Sequence, residues 1–276
     1  MSQSSQGAAA QVFDEHISEW TQWRTAPWNH LRYRLVGRIL AEAARRLGGR
    51  CRVLDAGGGD GGDSIPLALR GHDVTILDHS AALLERAADA AASAGLGSRV
   101  RTVCSDLSYL PEAAASNLSH GYDLVLCHNV LNHCGDVPGT VVRLVGALRP
   151  GGVLSLMAPN PAMDVLSMAV RQTCPARARA MLDEPTVRSE TFGCDMRRLD
   201  PDSVEVVLGL AGCVVTDRFG IRCVTDLIAD NNLKSDLSFA ADLEELELAL
   251  YDREPFLRTA RFWLLLAQHD SDLESG

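Results

Sequence analysis

No apolar run in this 276-residue chain approaches the ~18 residues a helix needs to cross a bilayer; the longest, Val153–Ala158 and Phe262–Ala267, suit buried strands. A soluble protein is expected. Basic charge is in short supply: 26 Lys and Arg against 36 Asp and Glu leave a formal net charge of −10, which argues against a non-specific nucleic-acid binder. The eight cysteines form no Cys-x-x-Cys pair, so reduced, mostly buried thiols are expected. Cys127 and Cys134 flank the stretch from His128 to His133, but the spacing does not make a metal site, and none is expected. Met1–Ala10 lacks the basic and then apolar regions of a secretion signal and reads as a disordered tail, with cytoplasmic residence as the default.

What the chain does have is a strand ending that runs into glycines: Val53-Leu54-Asp55-Ala56-Gly57-Gly58-Gly59-Asp60-Gly61-Gly62. Glycines after a parallel strand turn the backbone sharply and let a nucleoside cofactor approach it closely. The stretch fits two patterns. Gly57, Gly59 and Gly62 satisfy GxGxxG, the dinucleotide fingerprint, whereas Asp55, Gly57, Gly59 and Gly61 satisfy DxGxGxG, the pattern of S-adenosylmethionine (SAM) enzymes. Asp55 favours the second, because a carboxylate there repels a pyrophosphate but pairs with the ammonium of a methionine moiety.

Around this motif, strands and helices alternate. Residues 11–48 are expected to form an N-terminal helical cap, since Phe13, Ile17 and Trp20, then Leu31, Leu35, Ile39, Leu40, Ala43 and Leu47 recur near helical spacing on either side of Pro27. Strands are expected at Cys51–Asp55, Asp73–Leu77, Val100–Cys104, Tyr122–Cys127, Val153–Met157, Cys213–Phe219 and Phe262–Gln268. Asp63 or Ser64 suits the cap of the helix after the glycines, and Ser80 that of Ala81–Ala94. Residues from about 160 to 200 are poorer in periodicity and read as a lid inserted into one domain, 49–276. The alternation implies an α/β fold with a parallel sheet covered on both faces.

Asp78 lies 23 positions after Asp55 at the end of the second strand, where a carboxylate accepts both ribose hydroxyls; His79 beside it joins the cofactor set. Asp106, after the third strand, is placed at the adenine amino group with Leu107 packing beside the ring; a turn aspartate is the plainer alternative. His128-Asn129-Val130-Leu131-Asn132-His133 follows the fourth strand and is expected to face the cofactor's reactive end. His128 suits a cofactor contact, a structural hydrogen bond or a base, and His133 is a candidate general base. The Asn-Pro-Pro-Tyr sequence of many enzymes that methylate amino groups of bases is absent.

On these residues the chain resembles class I SAM-dependent methyltransferases, and more closely the bacterial tRNA 5-carboxymethoxyuridine methyltransferase family. The resemblance runs from about Leu31 to Gln268 and is best at Val53–Asp78, at Leu148–Met157 with Asn160, and at Arg253-Glu254-Pro255-Phe256 and Arg261-Phe262. It implies a Rossmann-like, seven-stranded, mostly parallel sheet whose last strand is antiparallel, SAM as cofactor, and methyl transfer to a carboxylate oxygen. It further implies that Arg32 lies near the cofactor, with Arg222, Arg261 and Asn160 on the acceptor side. Where the family has a lysine-rich lid run, this chain has Asp183-Glu184-Pro185-Thr186. Between Thr225 and Pro255 it holds nine acidic and two basic residues, a poor surface for a phosphate backbone. The expected acceptor is therefore a small-molecule metabolite, a carboxylate or another oxygen or nitrogen, with tRNA as the alternative and a monomer or homodimer as the assembly. Two rivals stand beside this reading: a nicotinamide-dependent oxidoreductase, which Asp55 opposes, and a SAM-binding protein that does not methylate.

Overall fold

Apolar residues three and four apart set the first helix against the rest of the protein. The computed structural model describes residues 27–110, 121–188 and 194–270. The tail and the residues Phe13, Ile17 and Trp20 of the expected helical cap lie outside them. Helix α1 (Pro27–Leu47) buries Leu31, Leu35, Val36, Ile39, Leu40 and Ala43. It leads into β1 (Arg52–Ala56), α2 (Ile65–Leu69), β2 (Asp73–Asp78), α3 (Ala81–Ser93) and β3 (Val100–Cys104). Ser80 caps α3 by accepting from the Leu83 N–H, as its position suggests. Ser64 occupies the N-cap of α2 but makes no side-chain cap bond, and Asp63 is used elsewhere, as shown below.

Strand β4 (Tyr122–His128) and helix α4 (Val137–Gly146) follow, then β5 (Leu148–Pro159), which is longer than its sequence suggests. Arg149–Gly152 reads as a turn in sequence, yet the strand runs through it. Leu148 pairs with Tyr122, a register irregularity follows, and pairing resumes at Val153. Gly152 permits this, because a Cβ there would stand 3.0 Å from the Tyr122 carbonyl oxygen and 2.9 Å from that of Arg149.

The segment expected as a lid contains α5 (Pro161–Val170), α6 (Pro175–Ala180) and a small antiparallel pair, β6 (Thr186–Arg188) with β7 (Asp195–Arg197). Arg198 ties it together, donating to the carbonyls of Met181, Glu184 and Pro161. The chain closes with α7 (Pro201–Leu210), β8 (Cys213–Ile221), α8 (Asn231–Ser235), α9 (Leu237–Leu250) and β9 (Phe262–His269).

Seven strands form one sheet in the order β3-β2-β1-β4-β5-β9-β8; β9 runs antiparallel between β5 and β8, and the other adjacent pairs are parallel. Pleating sends successive residues to opposite faces, so Val53 joins the core beneath α1 and α3 while Leu54 joins that beneath α4 and α7. The strand order reverses between β1 and β4. A crevice therefore opens beyond their carboxyl ends, where open α/β sheets bind ligands.

Candidate active site

The glycine loop is shaped by contacts on both sides. Gly57 and Gly58 donate to the Leu77 carbonyl at 2.7 and 3.2 Å, which brings the loop over the end of β2. Gly57 has φ +77°, and a Cβ on it would stand 2.5 Å from Val130 Cγ2. Glycine is required there on both counts. Gly59 donates its N–H to Asp78 Oδ2 at 2.9 Å, and Ser80 donates to Asp78 Oδ1 at 2.8 Å, so two backbone amides orient the buried Asp78 carboxylate.

Beside the loop lies a cleft of about 220 Å³, and eight residues singled out from sequence line it: Arg32, Asp55, Gly57, Gly59, Asp78, His79, His128 and His133. Others do not. Gly61 packs beneath, where a Cβ would meet Ile76 Cδ1 at 2.7 Å. Asp106 caps a single turn, accepting from the Ser108 N–H and hydroxyl at 2.7 and 2.5 Å, and Leu107 packs on the core under α4; neither lines the cleft.

The residues expected on the acceptor side lie away from the cleft. Arg222 is buried; its guanidinium is occupied by Asp226 and, at 2.6 Å, by Asn29. Arg261 pairs with Asp164 at 2.7 Å. Asn160 caps α5 by accepting from the Ala162 N–H at 3.1 Å and donates to the Arg258 carbonyl at 2.8 Å. All three have internal partners and none lines the cleft. Only Phe262, the ring beneath Arg222 and Arg261 at 5.8 and 5.6 Å, reaches the cleft wall.

Asp63 is the residue that sequence reasoning missed, having suggested it only as a helix cap. Arg32 grips it with two parallel hydrogen bonds of 2.7 Å, and His128 Nδ1 lies 2.8 Å from Oδ2. Burial by itself would raise its pKa, but the Arg32 charge and the His128 contact outweigh that and hold the carboxyl well below the usual range. An ionised carboxylate only accepts, so His128 Nδ1 carries the proton and Nε2 faces the Ser155 hydroxyl at 2.9 Å. Position in sequence, four residues past Gly59, was the available signal.

Asp55 contrasts with Asp63. Burial, reinforced by the negative Asp63 and Asp78, pushes its carboxyl up to about 7, against the opposing pull of Ser64 and Arg32. Its Oδ2 is buried with no hydrogen-bond partner among the described residues, as is Asn129 Oδ1, and both residues line the cleft. An unpaired buried carboxylate oxygen beside a glycine cradle fits a ligand ammonium. His133 is also perturbed: burial, with His79 nearby, lowers its pKa to about 4, and its Nδ1 lies 3.9 Å from Cys194 Sγ. At neutral pH it is uncharged and weakly basic. Among the described residues, no group of three or more His, Cys, Asp or Glu is placed to hold a metal ion.

Residues 54–154 match the family described as a methyltransferase domain. The tRNA 5-carboxymethoxyuridine methyltransferase of Escherichia coli (strain K12) is 33% identical over 228 residues, covering 82% of this chain and 82% of that protein. The ubiquinone biosynthesis O-methyltransferase of Caulobacter vibrioides is 34% identical over 121 residues, covering 42% of this chain and 44% of the relative. Among solved structures, magnesium protoporphyrin IX methyltransferase from Synechocystis PCC 6803 with bound S-adenosylhomocysteine (SAH) superposes with TM-score 0.60 at 17% identity, covering 96% of this chain and 100% of that one. The 1,6-didemethyltoxoflavin-N1-methyltransferase of Burkholderia thailandensis gives 0.59 at 17%, covering 98% and 92%.

Proposed function

Because the chain belongs to the SAM-dependent methyltransferase family that includes the E. coli tRNA 5-carboxymethoxyuridine methyltransferase, we propose that it esterifies a carboxylate, and that this carboxylate is carried by a tRNA uridine. The observation that carries the reading is the state of the two cleft histidines. His128 Nδ1 faces the Asp63 carboxylate and Nε2 the Ser155 hydroxyl, so both ring nitrogens are engaged, and the basicity of His133 is suppressed by burial. A hydroxyl or protonated amine acceptor needs a base in the transition state; a carboxylate oxygen already carries its nucleophilic electron pair.

SAM, when bound, supplies an electrophilic methyl group on its sulfonium. Asp55 would take the ammonium of the methionine moiety, the loop from Gly57 to Gly59 would let the backbone come close, and Asp78, held by Gly59 and Ser80, would accept the ribose hydroxyls. Arg32, held by Asp63, lines the same cleft and would lie near the cofactor. His79 and His133 border the cleft, and positioning supplies most of the acceleration, since no proton has to move.

Two arguments from sequence for a small metabolite lose weight. Six of the nine acidic residues between Thr225 and Pro255 have partners within the protein, although Asp230, Asp236 and Glu254 stay exposed. Asp226 holds Arg222, Glu244 pairs with Arg34, Glu247 accepts from the amides of Cys223, Val224 and Thr225, Glu254 pairs with Arg258, and Asp230 and Asp236 cap α8 and α9. Glu184, in the acidic lid run, is likewise neutralised by Arg177.

The test is methyl-labelled SAM incubated with tRNA carrying 5-carboxymethoxyuridine and, separately, with a small-acid extract. Label in tRNA that mild alkali releases supports the reading, because esters hydrolyse there. Label confined to the small-acid fraction would transfer the assignment to a metabolite carboxylate, and alkali-stable label would exclude a carboxylate acceptor.

A further inference from the structure

Next to the cleft runs a groove with no role in the scheme above. Its floor is α1, and its walls are α2 on one side and β8 with the end of α9 on the other. Six arginines line it: Arg34, Arg38, Arg45, Arg46, Arg70 and Arg218. On α1 they fall three or four residues apart with Glu42 among them, which places them on one face. The bland reading of such a stripe is a solvated set of ion pairs, and part of it is that: Arg45 and Arg46 share Glu42, Arg46 also takes Asp217, Arg34 takes Glu244 and Arg218 takes Glu205.

The pairing is incomplete, and that matters in a chain of net charge −10. Arg38 and Arg70 are exposed and have no carboxylate partner among the described residues; Arg70 donates only to the Pro66 carbonyl, at 2.8 Å. Arginine forks match phosphate oxygens, and two arginines without a paired carboxylate can take an anion, with Asp252 the remaining acid of the groove. Two further observations indicate which anion. Phe219 and Tyr251, partly buried against the core, stack with centroids 5.3 Å apart and planes at 21°, and both line the groove, where an exposed ring edge or face can meet a base as in single-stranded nucleic-acid sites. The groove also meets the cleft, with Tyr33, Gly62 and Asp63 belonging to both. From Tyr33 to Arg46 the helix rises ~20 Å, enough for a short single-stranded run.

We propose that this groove is the track of the RNA strand flanking the target uridine, with Arg38 and Arg70 contacting phosphates and the Phe219–Tyr251 pair offering a stacking surface. The proposal rests on the tRNA reading above and adds to it a surface that the cofactor cleft does not contain.

The test compares wild type with R38E/R70E and the milder R38Q/R70Q, using an anticodon stem-loop RNA that carries 5-carboxymethoxyuridine and, in parallel, the free nucleoside. The charge-reversed variant should bind the stem-loop at least ~10-fold more weakly near physiological salt. Its plot of log K against log salt should flatten by ~1.4, about 0.7 for each lost phosphate contact on a single strand. SAH affinity, melting temperature and turnover of the free nucleoside should stay at wild-type values, which separates a lost RNA track from a damaged fold. If both variants bind the RNA with wild-type affinity and salt slope while the stem-loop is still methylated, the groove proposal is overturned and the function stands. A wild-type enzyme that ignores the stem-loop but esterifies a small acid overturns both.

Discussion

Replacing Asp55 by asparagine separates what this carboxylate does to the fold from what it does for the cofactor. Its carboxyl is lifted from an ordinary 3.8 to about 7, chiefly by burial. That displacement corresponds to ~4 kcal/mol against the ionised form. The sign follows from proton counting. Between about pH 4 and pH 7 the folded protein holds a proton that the unfolded chain has released, so stability falls as pH rises through that window and stays low above it. Asparagine removes the charge but places an N–H₂ where Oδ2 now has no partner, returning ~1–3 kcal/mol as an unpaired donor. D55N should therefore be more stable than wild type by ~1–3 kcal/mol at pH 8 without ligand, and no more stable at pH 5. Each kcal/mol should appear as ~2–4 °C in melting temperature for a chain of this size. SAH affinity should move the other way, weakening ~10- to 150-fold as a charge-assisted bond of ~1.5–3 kcal/mol is lost. Thermal melts at the two pH values, with calorimetric titration of SAH, measure both arms. A variant less stable than wild type at pH 8, or one with undiminished SAH affinity, would refute the reasoning.

Asp63→Asn leaves the Arg32 charge buried beside a neutral amide; unfolding by urea should show a loss of ~3–5 kcal/mol, the usual penalty for breaking a buried pair, accompanied by weaker SAH binding. Equal stability would mean that solvent reaches Arg32. Gly57→Ala meets both a positive φ and Val130, so it should cost at least ~1–2 kcal/mol; adding Val130→Ala should restore only the steric part, leaving the backbone strain visible in the double variant. For His133→Gln, the carboxylate mechanism expects kcat at saturating SAM within a few-fold of wild type and the same pH dependence as wild type between 6 and 8, since this histidine is already neutral there; a fall of ~10²–10⁴ would restore it as a general base.

The glycine loop, Asp55, Asp78 and the sequence of strands were legible because each is a local matter. A positive-φ turn, a strand end and a helix cap are specified by a few adjacent residues, and the alternation of periods 2 and 3.6 marks the elements between them. Strand ends blurred where pairing with a neighbour carried β5 back through Gly151 and Gly152. Charge was the least legible property. A count of carboxylates in Thr225–Pro255 cannot tell an exposed Asp242 from a buried Glu247 wrapped around three backbone amides, and an arginine matched to a family position cannot reveal that Asp226 already holds it. Tertiary structure alone brought Arg32, Asp63, His128 and Ser155 together from four elements or their connecting loops. The pKa values of Asp55, Asp63 and His133, and with them the proposed base-free reaction, depend on burial and on partners distant in sequence; local pattern carries no record of either.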